Sequence, residues 1–132
     1  MVAGTLLVNS QYARILFDPS ATHSFISRHF ASCIHTSPEP LEIPLLVTTP
    51  VGRSIPANEV LRSCVVHLGG EDYYVDLIIL DLLDFDVILG MDWLASCYAS
   101  VDCRRKAITF QLPGKPTYVY YGSRSEIPGN LI

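Results

Sequence analysis

One acidic residue stands at the end of a strongly apolar run in the stretch ILFDPSATHSFI. This residue is Asp18; β-branched and aromatic side chains precede it, and Pro19 and Ser20 end the run. An ionised carboxylate at the end of a buried strand is costly unless a neighbouring group compensates for its charge. The remaining aspartates are individually explained as turn, edge or capping residues: Asp72, Asp76, Asp81, Asp84, Asp86, Asp92 and Asp102. One chain therefore supplies one carboxylate of this kind.

A second copy of the chain would provide the missing partner for Asp18. A two-fold symmetric dimer brings the same loop of each subunit to the symmetry axis. Two facing carboxylates cannot both ionise cheaply, so they share a proton; one acts as a base towards water while the other acts as an acid towards a carbonyl oxygen. This arrangement hydrolyses peptide bonds without a covalent intermediate. On the loop sequence alone, an acid that caps a turn before a helix explains Asp18 equally well.

Composition limits the classes of function. The chain has 132 residues, of which 49% are hydrophobic, and this is enough for one domain with its own core. The net charge is −4 and the cationic residues are scattered along the sequence, so we expect no nucleic-acid partner. No apolar run approaches the roughly 20 residues that span a bilayer, and the N-terminus lacks a signal-peptide pattern. We therefore expect no membrane partner and a cytoplasmic location.

The sequence predicts no cofactor and no metal site. Four widely spaced cysteines form no Cys-x-x-Cys pair, which favours reduced buried thiols: Cys33, Cys64, Cys97 and Cys103. His23, His29 and His35 recur every six residues, so they do not share one face of a helix or strand. Ser24 follows a histidine but lacks the G-x-S-x-G elbow of a serine hydrolase, and the common glycine-rich phosphate loops are missing.

The pattern of apolar runs and turn residues predicts an all-β, mainly antiparallel fold with one or two short helices. The runs TLLVN and YARILF are separated by Asn9-Ser10, a compact hairpin signal. SCVVHL and EDYYVDLIIL flank Gly69-Gly70, where both residues accept a positive φ. Further strand-like runs follow along the chain: FDVILG, YASVDC, AITFQL and TYVYY.

The predicted helices are both short. In HSFISRHFA, the apolar side chains of Phe25, Ile26 and Phe30 share one helical face, with Thr22 or His23 at the N-cap. MDWLAS is predicted as a second helix, which follows directly on FDVILG.

Prolines shape the segment between the first helix and the long hairpin. Pro38, Pro40 and Pro44 are predicted to limit regular structure there. The extended run LEIPLLVTT then leads into the turn-rich residues PVGRS, which we expect to form an exposed tip between two extended arms.

Two sequence blocks resemble the aspartic protease domain of gypsy-type LTR retrotransposon polyproteins, a retropepsin-like family. These blocks are FDPSATHSFIS and, further along the chain, DVILGMDWL. The resemblance extends over residues 4–112 and implies a retropepsin-like acid protease fold with half of an active site in each chain. It implies a protease domain at residues 1–112, followed at 113–132 by a C-terminal strand or linker towards the next polyprotein segment. It further implies an intracellular homodimer, within retrotransposon particles, that cleaves a peptide or polyprotein substrate.

The resemblance assigns roles to individual residues. Asp18 corresponds to the catalytic acid. Its active-site loop corresponds to the next four residues: Pro19, Ser20, Ala21 and Thr22. The supporting strand that crosses beside this loop corresponds to three later residues: Ile88, Leu89 and Gly90. The flap that closes over a bound peptide corresponds in order to the turn-rich tip: Pro50, Val51, Gly52 and Arg53.

The loop departs from the family pattern at two positions. Pro19 stands where the family has Ser or Thr, and Ser20 stands where it has Gly. The hydroxyl at the first position reaches across the dimer in the family, and proline offers neither a hydroxyl nor an N–H. Two hypotheses follow: an active homodimeric endopeptidase, or a catalytically impaired protease-like domain that acts as a dimerisation or peptide-binding module.

Overall fold

A computed structural model describes residues 1–48 and 52–123 of the chain. In this part the strands, in chain order, are β1 (Val2–Val8), β2 (Gln11–Phe17), β3 (Phe25–Ser27), β4 (Glu39–Thr48), β5 (Ser54–Leu68), β6 (Glu71–Leu80), β7 (Val87–Leu89), β8 (Ala99–Asp102), β9 (Ala107–Phe110) and β10 (Tyr118–Tyr121). The two helices are α1 (Arg28–Cys33) and α2 (Met91–Ser96). The predicted all-β fold with short helices is confirmed. Neither helix is long enough to cross a membrane.

Seven strands form one sheet, and six of them close into a barrel, with β4 at the edge. Their order is β1-β2-β7-β3-β6-β5-β4, and β1 closes the barrel by pairing with β5 as well as with β2. Most neighbours are antiparallel, but β2 and β7 run parallel, as do β3 and β6. Because β2 and β7 are parallel neighbours, their C-terminal ends meet at the same edge. The loop that follows β2 is therefore placed beside the segment that follows β7.

Both predicted hairpins are confirmed. β1 and β2 are joined through Asn9 and Ser10, whose φ values of 48° and 68° suit the tight turn that matches strand twist. β5 and β6 are joined through Gly69 and Gly70, with φ values of 59° and 78°. Asparagine and glycine reach this backbone region at low cost, which explains why the sequence signals were reliable.

The prediction for the helix after Asp18 is wrong in position. Phe25 and Ile26 lie in strand β3, fully paired between β7 and β6, and the helix begins only at Arg28. Its N-cap is Ser27, whose hydroxyl accepts the amide of Phe30, and not Thr22 or His23. The apolar spacing suited a helix, but burial between two strands decided the outcome because pairing outweighs local propensity.

The proline-rich segment is more regular than predicted. β4 includes Pro40 and Pro44, and it pairs with β5 across a register shift between Pro40 and Leu45. β4 is the edge strand of the barrel sheet, where a missing N–H breaks no ladder on the open side. Pro40 and Pro44 are therefore tolerated in β4 because this strand lies at the edge of the sheet.

An aromatic cluster fills one end of the core. Trp93 on α2 packs against Phe17, Tyr73 and Phe110 at ring-centroid distances of 5.8–6.3 Å. Tyr120, on the C-terminal strand, lies 5.7 Å from Phe17. Contacts of this kind contribute beyond the area that they bury. The cluster fixes α2, which follows β7, against the strand that ends at Asp18.

The C-terminal strand is part of the described fold. β8, β9 and β10 form a second sheet, in which β10 pairs with β9. The amide of Thr5 donates to the hydroxyl of Tyr120 at 3.1 Å, and the amide of Ser123 donates to the carbonyl of Ala3 at 2.8 Å. Residues 118–123 thus lie along the N-terminal strand. The sequence allowed a strand or a linker at TYVYY, and this segment contains strand β10. The domain boundary at residue 112 stays a prediction.

The four cysteines are free thiols in two environments. Cys64 and Cys97 are buried, as predicted, whereas Cys33 and Cys103 are exposed. The prediction of buried thiols is therefore wrong for the last two, which lie at the end of α1 and in the turn after β8. In the described ranges, no cluster of His, Cys, Asp or Glu has the geometry of a metal site.

Candidate active site

Asp18 lies directly after β2, at the edge where β2 and β7 end together. Phe17 is paired with Leu89 in the parallel ladder, and the amide of Asp18 donates to the carbonyl of Leu89 at 3.0 Å. Leu89 thus holds the backbone of Asp18, and Ile88 pairs with Leu16 on β2. The Asp18 residue is half-buried in the single chain, so it is less enclosed than the expected buried acid.

The loop begins as a tight turn over residues 18–21. The amide of Ala21 donates to the carbonyl of Asp18 at 3.1 Å, which closes the turn and puts Pro19 at its second position. Proline suits that position because its fixed φ is the one required and its N–H is not needed. Ser20 is not among the residues with positive φ, so the turn does not require glycine there. The two departures from the family pattern are compatible with an ordered loop.

Two donors of Ser20 reach the same oxygen of Asp18. The Ser20 amide donates to Oδ1 at 3.0 Å, and the Ser20 hydroxyl donates to Oδ1 at 2.6 Å. Within the described chain, Oδ2 has no hydrogen-bond partner. The carboxylate is thus held on one side and open on the other.

Gly90 allows the segment after β7 to pass close to the loop. A side chain at Gly90 would overlap the backbone carbonyls of His23 and Ala21. The amide of Met91 donates to the Ala21 carbonyl at 2.7 Å. Glycine is required here by close approach rather than by φ, which is −98°. The sequence block Ile-Leu-Gly therefore has a direct steric role beside the loop.

A partly buried hydrogen-bond network ties the segment after the loop to α2. Ser24 is fully buried; its hydroxyl accepts the Gly90 amide at 3.0 Å and donates to Oδ1 of Asp92 at 2.7 Å. The same oxygen accepts the Trp93 amide at 2.8 Å. Sequence reasoning missed this link, because Asp92 was interpreted as a capping residue and Ser24 was considered only as a nucleophile. The available signal was a serine directly before the apolar pair Phe25-Ile26, where its hydroxyl needs a partner.

The remaining loop residue, Thr22, is exposed. Its hydroxyl is 2.9 Å from Nδ1 of His23, which is also exposed. Among the described residues, no hydrogen bond joins Thr22 to Asp18. Thr22 therefore belongs to the outer surface of the loop.

The predicted flap falls partly outside the described residues. Pro50 and Val51 lie outside them, whereas Gly52 and Arg53 are described. Gly52 has a φ of 83° and open space around it, as expected for a residue in a tight turn. β4 and β5 pair up to Thr48 and Ser54, so two extended arms do converge on this tip.

The arms of this hairpin belong to a second apolar cluster. Its buried members are Phe25, Ala57, Val60, Ile78 and Leu80. Partly exposed hydrophobic side chains pack against them: Leu41, Leu45, Val47, Ile55, Leu82 and Ile88. Ile88 lies on β7, the strand that supports the Asp18 loop. An apolar surface that is incompletely covered therefore extends from the hairpin to the supporting strand.

Asp18 is half-buried, and its loop is separate from two grooves in the described part of the chain. Two open grooves of about 590 and 550 Å³ occur in the described part, and neither is lined by residues of the Asp18 loop. The first is lined by residues such as Asn9, His35 and His67, and the second lies along α1. Polar binding groups are normally found in concave sites. In the single chain, neither groove provides such concave surroundings for Asp18.

The closed barrel, with its aspartate loop crossed by a parallel strand, defines a retropepsin-like domain. The retroviral protease-like domain of Ddi1 from Leishmania major superposes with a TM-score of 0.65 at 16% identity, covering 100% of this chain and 98% of that one. The EIAV protease, complexed with the inhibitor HBY-793, gives a TM-score of 0.62 at 15% identity. The match covers 76% of this chain and 90% of that one. A comparison with curated protein sequences gave no match.

The family model of the retroviral aspartyl protease matches residues 1–114. The chain therefore belongs to the retroviral aspartyl protease family. The predicted resemblance is confirmed at this level, and members of the family act as dimers on peptide substrates.

Proposed function

We propose that the chain is an aspartic endopeptidase that works as a homodimer, with Asp18 of each subunit forming the catalytic pair. The observation that carries this proposal is the position of Asp18. It follows β2, its backbone is bonded to Leu89 on the crossing strand, and its Oδ2 has no partner in the described chain. One open carboxylate oxygen per chain, on an open edge, is what a symmetric pair requires.

The reaction follows from the sharing of one proton between the two carboxylates. The ionised Asp18 takes a proton from a water molecule, and the oxygen of that water bonds to the peptide carbonyl carbon. The protonated Asp18 gives its proton to the carbonyl oxygen, which yields a neutral tetrahedral intermediate. Transfer of a proton to the amide nitrogen then allows the C–N bond to break. No covalent enzyme intermediate is formed.

An extended peptide is the substrate that the surface fits. The partly exposed hydrophobic side chains of the second cluster, including Val47, Ile55 and Ile88, offer apolar contacts next to the loop. An extended peptide binds by adding a strand to an exposed sheet edge, and β4 is such an edge in the described sheet. A polyprotein that contains this domain is the substrate proposed from the resemblance to retrotransposon sequences.

A second candidate function is a catalytically impaired domain that binds peptides or dimerises. Pro19 favours it, because proline has no hydroxyl with which to reach a partner loop. The two candidates differ in hydrolysis and not in fold, so only an activity measurement separates them.

The test is cleavage of an unfolded protein substrate from pH 4 to 7 by the wild-type chain and by the Asp18→Asn variant. Asparagine keeps the shape of the side chain but cannot share a proton, so we expect cleavage to disappear while the fold is retained. Asp102→Asn, at the end of β8, is the matched control and should remain active, since its oxygen still accepts the amides of Arg104 and Arg105.

Each outcome decides between the candidates. Cleavage by Asp18→Asn at the wild-type rate would show that the pair is not the catalyst. Absence of cleavage by wild-type protein that is folded and dimeric by sedimentation would favour the impaired domain. Sedimentation at the assay concentration is needed because a weak dimer dissociates on dilution.

A further inference from the structure

The hydroxyl of Ser20 makes a hydrogen bond that the turn itself does not need. The turn is closed by the Ala21 amide on the Asp18 carbonyl, and the Ser20 amide on Oδ1 adds the common side-chain bond of an aspartate to the residue two positions on. The hydroxyl adds a third hydrogen bond, from Ser20 Oγ to Asp18 Oδ1. The distance between these two oxygens is 2.6 Å, which is short for an O–H···O bond. Its position is one where the family pattern has glycine and no side chain.

We propose that Ser20 is a positioning residue, whose hydroxyl holds the Asp18 carboxylate in one orientation from within the same chain. The inference rests on the proposed function, in which Asp18 forms the catalytic pair. It assigns to Ser20 a task that no group of the flanking Pro19 can perform, since proline carries neither a hydroxyl nor an N–H.

Two donors on one oxygen restrict the carboxylate more than one donor does. Rotation about χ2 of aspartate is broad, so a carboxylate with a single bond to Oδ1 still samples a range of planes. The amide and the hydroxyl approach Oδ1 from two atoms of Ser20, and together they define the plane. Oδ1 is thereby committed as an acceptor, and Oδ2 is left for the shared proton and the water.

The backbone of Ser20 allows this role without strain. Its φ is not in the positive region, so the side chain costs nothing in backbone energy. Ser20 and Pro19 are both exposed in the single chain, so no packing would hold the hydroxyl in place by itself. The hydrogen bond to Asp18 is the interaction that the structure gives this side chain.

The first test compares Ser20→Ala with Ser20→Thr in steady-state hydrolysis. Ser20→Ala keeps the amide bond and removes the hydroxyl; we expect kcat to fall about tenfold with KM unchanged, the size of one hydrogen bond to a charged group. Ser20→Thr restores a hydroxyl and should recover most of the loss. Ser32→Ala on α1, which removes a hydroxyl bonded to the His29 carbonyl, is the matched control and should retain wild-type kcat.

The second test does not depend on activity. The carboxyl ¹³C resonance of Asp18, recorded at pH 8, should move in Ser20→Ala and return towards the wild-type position in Ser20→Thr. An unchanged resonance, or equal displacement in both variants, would overturn the positioning role whether or not the chain hydrolyses peptides. Wild-type kcat in Ser20→Ala would overturn it while leaving the proposed function intact. Absence of hydrolysis in the wild type would contradict the proposed function alone, and the resonance would still decide the role of Ser20.

Discussion

The hydroxyl of Ser24 donates to Oδ1 of Asp92 at 2.7 Å, and this bond joins the segment between β2 and β3 to helix α2. The same hydroxyl accepts the amide of Gly90 at 3.0 Å. Ser24 is fully buried, so its bonds are not exchanged with water. The bond therefore fixes where the loop lies against β7, and with it the position of Asp18.

Removal of the Ser24 hydroxyl should destabilise the fold. In Ser24→Ala, the carboxylate of Asp92 and the amide of Gly90 both lose a buried partner. We expect the free energy of unfolding to fall by about 1–3 kcal/mol, the cost of leaving a buried polar group unsatisfied. Urea unfolding followed by Trp93 fluorescence measures the change, because Trp93 lies in the aromatic cluster.

The control for this prediction is Ser32→Ala, which removes an exposed hydroxyl from α1. It should change the unfolding free energy by no more than about 0.5 kcal/mol, as is usual for surface positions. Equal stability of Ser24→Ala and the wild type would mean that the network is not formed in solution.

A side chain at Gly90 should be poorly tolerated. In Gly90→Ala the new Cβ overlaps two backbone carbonyls, of His23 and Ala21, which cannot move aside like the end of a flexible side chain. Overpacking of this kind costs about 1–3 kcal/mol or more. Chemical denaturation gives the loss in stability, and cleavage assays should show reduced kcat because the loop is displaced.

Gly70→Ala is the matched comparison, because nothing lies within 4 Å of a Cβ there and the cost comes only from its φ of 78°. We expect about 1–2 kcal/mol from left-handed backbone strain, with kcat unchanged. Full activity of Gly90→Ala would contradict the close approach of the two segments.

Truncation should show that the fold extends past residue 112. A chain that ends there lacks β10 and Tyr120, which packs on Phe17 and whose hydroxyl accepts the Thr5 amide. We expect the unfolding free energy to fall by at least about 2 kcal/mol, the scale for a large hydrophobic side chain. A chain that ends at Ser123 keeps these contacts and serves as the control. Equal stability of both truncated chains would place the folded boundary at residue 112.

Stability should decline at alkaline pH because of Cys64. Burial, with a smaller contribution from the charge of Asp76, raises the pKa of the Cys64 thiol from 9.0 to about 11. Above pH 9 the unfolded chain releases a proton that the folded chain retains, so unfolding becomes more favourable as pH rises towards 11. The stabilisation is complete below pH 9, and up to about 3 kcal/mol is lost across this window.

Cys64→Ala is expected to flatten this decline, although it also lowers stability at neutral pH by creating a cavity. The measurement is the free energy of unfolding between pH 7 and 11, under reducing conditions. Burial also raises the pKa of the Cys97 thiol, so part of the decline should remain in the variant. Identical slopes for the two proteins would show that Cys64 is accessible to solvent.

The sequence by itself determined the elements whose signals are local. The hairpins at Asn9-Ser10 and Gly69-Gly70 were predicted because positive φ is a property of a residue and its neighbour. Helix α2 also followed from its own apolar spacing. The position of Asp18 at a strand end was likewise visible in the order of residue types, as was the likeness of two sequence blocks to a protease family.

Only the tertiary structure decided the features that depend on distant pairing. Phe25 and Ile26 became a strand because β7 and β6 lie on either side, and no local pattern shows such neighbours. The bond between Ser24 and Asp92 joins residues 68 positions apart, and either residue alone has a simpler explanation.

The same reason applies to the candidate site around Asp18. The sequence supplied the acid and the departure at Pro19 and Ser20, but the two bonds from Ser20 to Oδ1 depend on a turn geometry that sequence cannot measure. Residue type determines which groups are able to donate or accept a proton. The folded backbone determines which of them lie within 3 Å of one another, because that distance is set by strand pairing and turn closure together.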